Sequence, residues 1–137
     1  MTRICNILVV EDDHAVRLLL GDILDHRGYL FTLTSSGAEM QAALDADDFD
    51  VAIIDISLRG EDGLVLGETA TKKGCEVILT TGDPGRLPHV QASGRRHMMK
   101  PFRIQALTDL VDEVLKDSGT LCAARGQGGA CPLGAPS

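Results

Sequence analysis

Short branched-aliphatic runs that stop abruptly at polar residues are the feature that most limits what this chain can fold into. Residues 4–10 run into Glu11, Asp12 and Asp13, residues 51–54 into Asp55, and residues 77–79 into Thr80 and Thr81. Runs this brief and this rich in β-branched side chains suit strands of a parallel sheet, covered on both faces and meeting solvent only at their ends. Residues 29–34 and 97–99 read as two further strands, the last ending at Lys100-Pro101.

The intervening segments carry helical spacing. Val16, Leu19, Leu20, Ile23 and Leu24 lie on one helical face, and Gly28 stands where that helix should stop. Ser36 and Glu39 match a capping box opening a short helix with Met40, Ala43 and Leu44. Residues 64–73 predict a weakly amphipathic helix stopped by Gly74, and Leu107, Leu110, Val111, Val114 and Leu115 mark a last one. In residues 83–94, Pro84, Gly85 and Pro88 leave room only for a short, mobile segment.

Five strands alternating with helices predict a three-layer α/β fold, its right-handed crossovers placing helices on both faces of a parallel sheet. The functional crevice of such a sheet lies at the carboxyl ends of its strands. Glu11-Asp12-Asp13, Asp55, Thr81 and Lys100 all stand at such ends, so they are expected to converge.

The 137 residues suffice for one domain, expected over residues 1–118, with the non-periodic Gly-, Ala- and Pro-containing residues 119–137 as an unstructured tail. A net charge of −7 disfavours a nucleic-acid-binding surface. No apolar run approaches the roughly 20 residues that span a bilayer, and no signal-peptide pattern precedes the first strand, so a cytoplasmic protein without membrane contact is expected. Cys5, Cys75, Cys122 and Cys131 have neither metal-ligand nor CxxC spacing and read as packing or incidental thiols.

Carboxylates crowded together repel unless a proton or a cation sits between them. A hard divalent ion, Mg²⁺ or Mn²⁺, fits Glu11, Asp12 and Asp55, since it prefers oxygen ligands and commonly pairs carboxylates with a phosphoryl oxygen. A carboxylate can also attack phosphorus to give an aspartyl phosphate, and Asp55 is the best-placed nucleophile. Lys100 and the Thr81 hydroxyl would complete a cradle for the phosphoryl oxygens. Taken alone, the acidic run would be a solvated loop with Asp13 as an N-cap; the joint pattern reverses that reading.

Over about residues 4–116 these motifs resemble the response-regulator receivers of bacterial two-component signalling. ILVVEDD is similar to the family's first strand and acidic pair, VAIIDISLRGEDGL to its phospho-acceptor strand and loop, ILTTG to its switch strand, and MKPF to its lysine before a usually cis proline. The resemblance implies a flavodoxin-like (βα)5 fold with strand order 2-1-3-4-5. It implies that Asp55 is phosphorylated and that Glu11, Asp12, Asp55 and the backbone carbonyl of Ser57 bind the metal. It further implies that Thr81 moves onto the phosphoryl group and that Lys100 pairs with it. The partners implied are a sensor histidine kinase or phosphotransfer protein and a downstream protein, with the chain a monomer or weak dimer and not a turnover enzyme.

Three departures stand out. Arg59 occupies a usual proline position, His97 replaces a usual aromatic of the switch, and Thr81-Gly82 before a broken segment is similar to stand-alone receivers with a shortened fourth helix. Against the leading reading of a stand-alone receiver stand a phosphorylation-independent interaction module, a receiver fragment of a hybrid kinase, and a metal-dependent phosphatase. The last lacks a second carboxylate two residues after Asp55, where Ser57 stands.

Overall fold

The computed structural model describes residues 3–117 and 122–123, and it contains the parallel sheet that the apolar runs imply. The strands are β1 (Asn6–Val10), β2 (Leu30–Thr34), β3 (Val51–Asp55), β4 (Glu76–Thr81) and β5 (Arg96–Met99). They pair in the order 2-1-3-4-5. The connecting helices are α1 (His14–His26), α2 (Gly37–Ala46), α3 (Gly63–Lys72), α4 (Leu87–Ala92) and α5 (Ile104–Asp117), with a 3₁₀ turn at Pro84–Arg86 leading into α4.

Alternation along the strands divides the apolar side chains between two cores. Ile7, Val9, Val51, Ile53 and Ile78 pack with Leu20, Ile23 and Leu24 of α1 and Leu107, Val111 and Val114 of α5. Leu8, Val10, Ala52, Ile54 and Leu79 pack on the other face with Met40 and Leu44 of α2, Ala70 of α3 and Val90 of α4. Burying a leucine or isoleucine is worth roughly 1.5–3 kcal/mol, and a one-residue slip would exchange the two faces. The register is therefore tightly held. Val10 lies opposite Ile54, and Asp55 opposite Thr80.

Helix starts follow the short polar residues. The side chains of Asp13, Ser36 and Asp62 accept hydrogen bonds from the amides of Val16, Glu39 and Leu64. The reciprocal half of the expected capping box is displaced by one residue: Glu39 accepts from the Ser35 amide at 2.7 Å and from the Ser35 hydroxyl at 2.9 Å.

Several boundaries differ from the apolar pattern. The first run is interrupted at Cys5, because β2 and β3 pair with β1 only from Asn6 and Ile7 onward. Arg3–Ile4 pairs instead, in parallel, with Cys122–Ala123, two residues of the tail expected to be unstructured; the rest of residues 118–137 lies outside the described residues. β4 extends beyond its apolar centre to Glu76 and Thr81, since backbone pairing continues where side chains turn polar. Cys5 corrects the expectation of packing or incidental thiols, being disulfide-bonded, whereas Cys75 is a free, buried thiol as that expectation has it. Among the described residues, no helix is long and apolar enough to cross a membrane.

Candidate functional site

At the carboxyl ends of β1 and β3 three carboxylates meet. Backbone pairing of Glu11 N–H with the Thr34 carbonyl at 3.0 Å carries the β1–β2 ladder one residue past Val10, and burial leaves Glu11 1% exposed. Asp55, ending the wholly buried β3, is 4% exposed. Carboxylate oxygens of Glu11, Asp12 and Asp55 all lie within 4.8 Å of one another, although more than forty residues separate the first pair from the third. Asp13 takes the N-cap of α1, so the capping role falls to the one acid that does not face the cluster.

Lys100, at the exit of β5, reaches into this group. Its Nζ lies 2.5 Å from Glu11 Oε1 and 3.1 Å from Asp55 Oδ2. Its amide donates to the Thr81 carbonyl at 2.8 Å, which fixes the lysine beside β4, and the following Lys100–Pro101 peptide is cis. Burial alone works against the ammonium, but the hydrogen bond to Glu11 and the charge of Asp55 outweigh it and raise the Lys100 pKa. Glu11 is pushed up to about 7, chiefly by burial and further by Asp55, with the Lys100 hydrogen bond pulling the other way.

The hydroxyl side is organised by β4. Thr81 Oγ1 lies 3.4 Å from Ser57 Oγ and accepts from the Asp83 amide at 3.1 Å. The Ser57 amide donates to Asp55 Oδ1 at 2.9 Å, so the segment after β3 folds back on its own carboxylate. Thr80, the neighbouring hydroxyl, is buried and lies opposite Asp55 in the β3–β4 register. The structure therefore brings Glu11, Asp12, Asp55, Ser57, Thr81 and Lys100 together. His97 pairs with Leu79, two positions before Thr81 along β4 and so on the same face of the sheet, and its Nδ1 lies 3.3 Å from the Arg95 carbonyl.

The donor set suits a hard divalent cation. Three carboxylates against one ammonium leave a charge of −2 (−3 + 1) when all are ionised, and Mg²⁺ takes oxygen ligands while keeping several waters. Because a ligating carboxylate must be deprotonated, Mg²⁺ affinity is expected to rise as pH climbs through about 7, where Glu11 titrates. Calorimetric titration at about pH 6 and pH 8 checks this, and equal affinities would contradict it. The metal-free fold should respond in the opposite sense. A carboxyl whose folded pKa is raised stabilises the fold fully below its ordinary value of 4.5, and that contribution is lost as pH rises to about 7.

Several residues around the site carry no sequence signal. Arg17 donates to the Glu11 carbonyl at 2.9 Å, Arg86 approaches the Ile56 carbonyl at 3.4 Å, and both Glu61 oxygens lie 3.0 Å from the Gly37 amide at the start of α2. Each partner is fixed by the fold and not by chain proximity, except that Arg17, one turn into α1, could have been read as a cap for the acidic segment.

Comparison with known proteins agrees with this arrangement. Residues 7–112 match the response regulator receiver domain family. The chain is 28% identical over 115 residues to PetR of Rhodobacter capsulatus, covering 81% of this chain and 48% of PetR. It is 26% identical over 115 residues to sporulation initiation phosphotransferase F of Bacillus subtilis, covering 80% of this chain and 92% of that protein. The response regulator TrrA of Thermotoga maritima, solved in complex with Mg²⁺ and BeF, superposes with a TM-score of 0.73 at 26% identity, over 82% of this chain and all of TrrA. The chain spans half or less of the length of the first curated relatives it matches, at 48%, 33% and 50%. With the family's match running from the start of β1 into α5, this chain belongs to the response regulator receiver domain family.

Proposed function

We propose that the chain is a signalling receiver in which Asp55 accepts a phosphoryl group from a histidine kinase or phosphotransfer protein. The observation that carries this reading is the position of Asp55: a buried carboxylate at the end of the central strand, held by Lys100 and within 4.8 Å of the Glu11 and Asp12 oxygens. An Asp55 oxygen attacks phosphorus, the new O–P bond forms, and the bond from phosphorus to the donor's nitrogen or oxygen breaks, its electron pair leaving with the donor. Lys100 offsets charge on the phosphoryl oxygens, and the Ser57 amide keeps the second Asp55 oxygen oriented. A Mg²⁺ ion held by Glu11, Asp12, Asp55 and the Ser57 carbonyl would supply the remaining charge neutralisation.

Phosphorylation places new negative charge beside Thr81, whose hydroxyl contacts among the described residues are the local Asp83 turn and Ser57 at 3.4 Å. Movement of Thr81 onto the phosphoryl group would shift β4 and the short α4 that follows, and so alter a surface read by a downstream protein. Beside Lys100, a cleft of about 390 Å³ lined by Val16, Leu19, Gly82, Pro101 and Phe102 offers a largely apolar flank to a docking donor.

Incubation with acetyl phosphate and Mg²⁺ tests the reading. Intact mass should rise by one phosphoryl group, peptide mapping should place it on the segment carrying Asp55, and chelation of the metal should prevent it. Absence of the adduct, or its presence on another segment, removes Asp55 from the proposed role.

A further inference from the structure

We infer that Arg59 is an internal counter-ion to Asp12 that competes with a divalent cation for that carboxylate. The inference rests on Asp12 being a metal ligand, as proposed above. Lys100 spends its hydrogen bonds on Glu11 and Asp55. The third carboxylate of the cluster is met by Arg59: its amide donates to Asp12 Oδ2 at 3.1 Å, and its Nε lies 3.9 Å from the same oxygen.

The loop that presents Arg59 is anchored on both sides of it. Leu58 is buried in the α2–α3 core. Glu61 holds the α2 amino terminus through the Gly37 amide, where the unpaired helix N–H and the helix dipole favour a carboxylate, and its own amide reaches back to the Leu58 carbonyl at 3.4 Å. Asp62 caps α3. Between these anchors Gly60 turns the chain at φ +70°, with nothing within 4 Å of where a Cβ would lie. The Arg59 backbone is thereby set against Asp12, while its side chain, 97% exposed, remains free to swing.

Two roles separate on this geometry. The amide orients the Asp12 carboxylate and survives any substitution except proline. The guanidinium supplies charge, and a cation arriving at Asp12 must share that oxygen's field with it. Because the guanidinium is solvated, its effect is modest and screened by salt.

Binding of Mn²⁺ alone, with free ion counted by electron paramagnetic resonance and folding checked by far-ultraviolet circular dichroism, tests the role without any phosphoryl donor. At low ionic strength, Arg59→Ala and Arg59→Gln should bind Mn²⁺ about two- to fivefold more tightly than the wild type. Arg59→Lys should match the wild type, and the gain should shrink at roughly 0.5 M salt. Unchanged affinity in Arg59→Ala, or an equal gain in Arg59→Lys, overturns the inference. If the wild type binds and Asp12→Asn abolishes binding while the Arg59 variants are unaltered, only the counter-ion role falls. If the wild type itself takes up no Mn²⁺, the metal reading and this inference fall together.

Discussion

Asp55→Asn is expected to take up no phosphoryl group at all from acetyl phosphate and Mg²⁺, with an intact mass unchanged over times that label the wild type fully. The substitution keeps the volume of the side chain, and its carbonyl oxygen can still accept from the Ser57 amide. What disappears is the anionic oxygen that attacks phosphorus, and an amide NH₂ is turned toward the Lys100 ammonium in place of a carboxylate oxygen. The variant also has a second signature. Asp55 raises the Glu11 pKa both by its charge and by a hydrogen bond, so Glu11 should titrate lower in Asp55→Asn, as carboxyl NMR would show. A variant that is labelled as fast as the wild type would place the acceptor elsewhere.

Gly63→Ala should be the most damaging small substitution near the site. A Cβ at Gly63 would fall 2.3 Å from Ile56 Cα, 2.7 Å from the Asp55 carbonyl oxygen and 3.0 Å from Ile56 N. All three are backbone atoms that no rotamer change can move. The glycine is there for close approach: α3 begins against the end of β3, and the two chains touch main chain to main chain. Either the helix start must move away or the Asp55–Ile56 peptide must shift, and overpacking against backbone costs about 3 kcal/mol. For a domain of this size that corresponds to a fall in Tm of roughly 10 °C, to be read from thermal melts. Because the displaced atoms carry Asp55, labelling by acetyl phosphate should slow as well. A melt within about 2 °C of the wild type would show that the contact relaxes freely.

Much of this architecture could be read before any coordinates. The runs ending at Glu11, Asp55 and Thr81 became β1, β3 and β4 because β-branched side chains buried on both faces leave no competing arrangement. Of the helical face carried by Val16, Leu19, Leu20, Ile23 and Leu24, all but Leu19, which stays 45% exposed, pack into the core beside α1, because a stripe at helical spacing turns one side to the sheet. The polar ends of strands were harder to delimit. Glu76, Thr80 and Thr81 belong to β4 through backbone hydrogen bonds that no apolar pattern reports. The pairing of Arg3–Ile4 with Cys122–Ala123 joins segments more than a hundred residues apart, and the disulfide of Cys5 was invisible to spacing alone.

The local chemistry of the chain was enough to determine a doubly covered parallel sheet and to name the polar residues standing at its strand ends, because burial and periodicity act on neighbouring residues. Only the tertiary structure decided the distances and the register: that Lys100 divides itself between Glu11 and Asp55, that Asp12 is met by Arg59, and that His97 pairs with Leu79, two positions before Thr81. Those outcomes depend on register, crossover and loop anchoring, through which one side chain is brought to another across the sheet, and nothing in the order of residues along one strand encodes them.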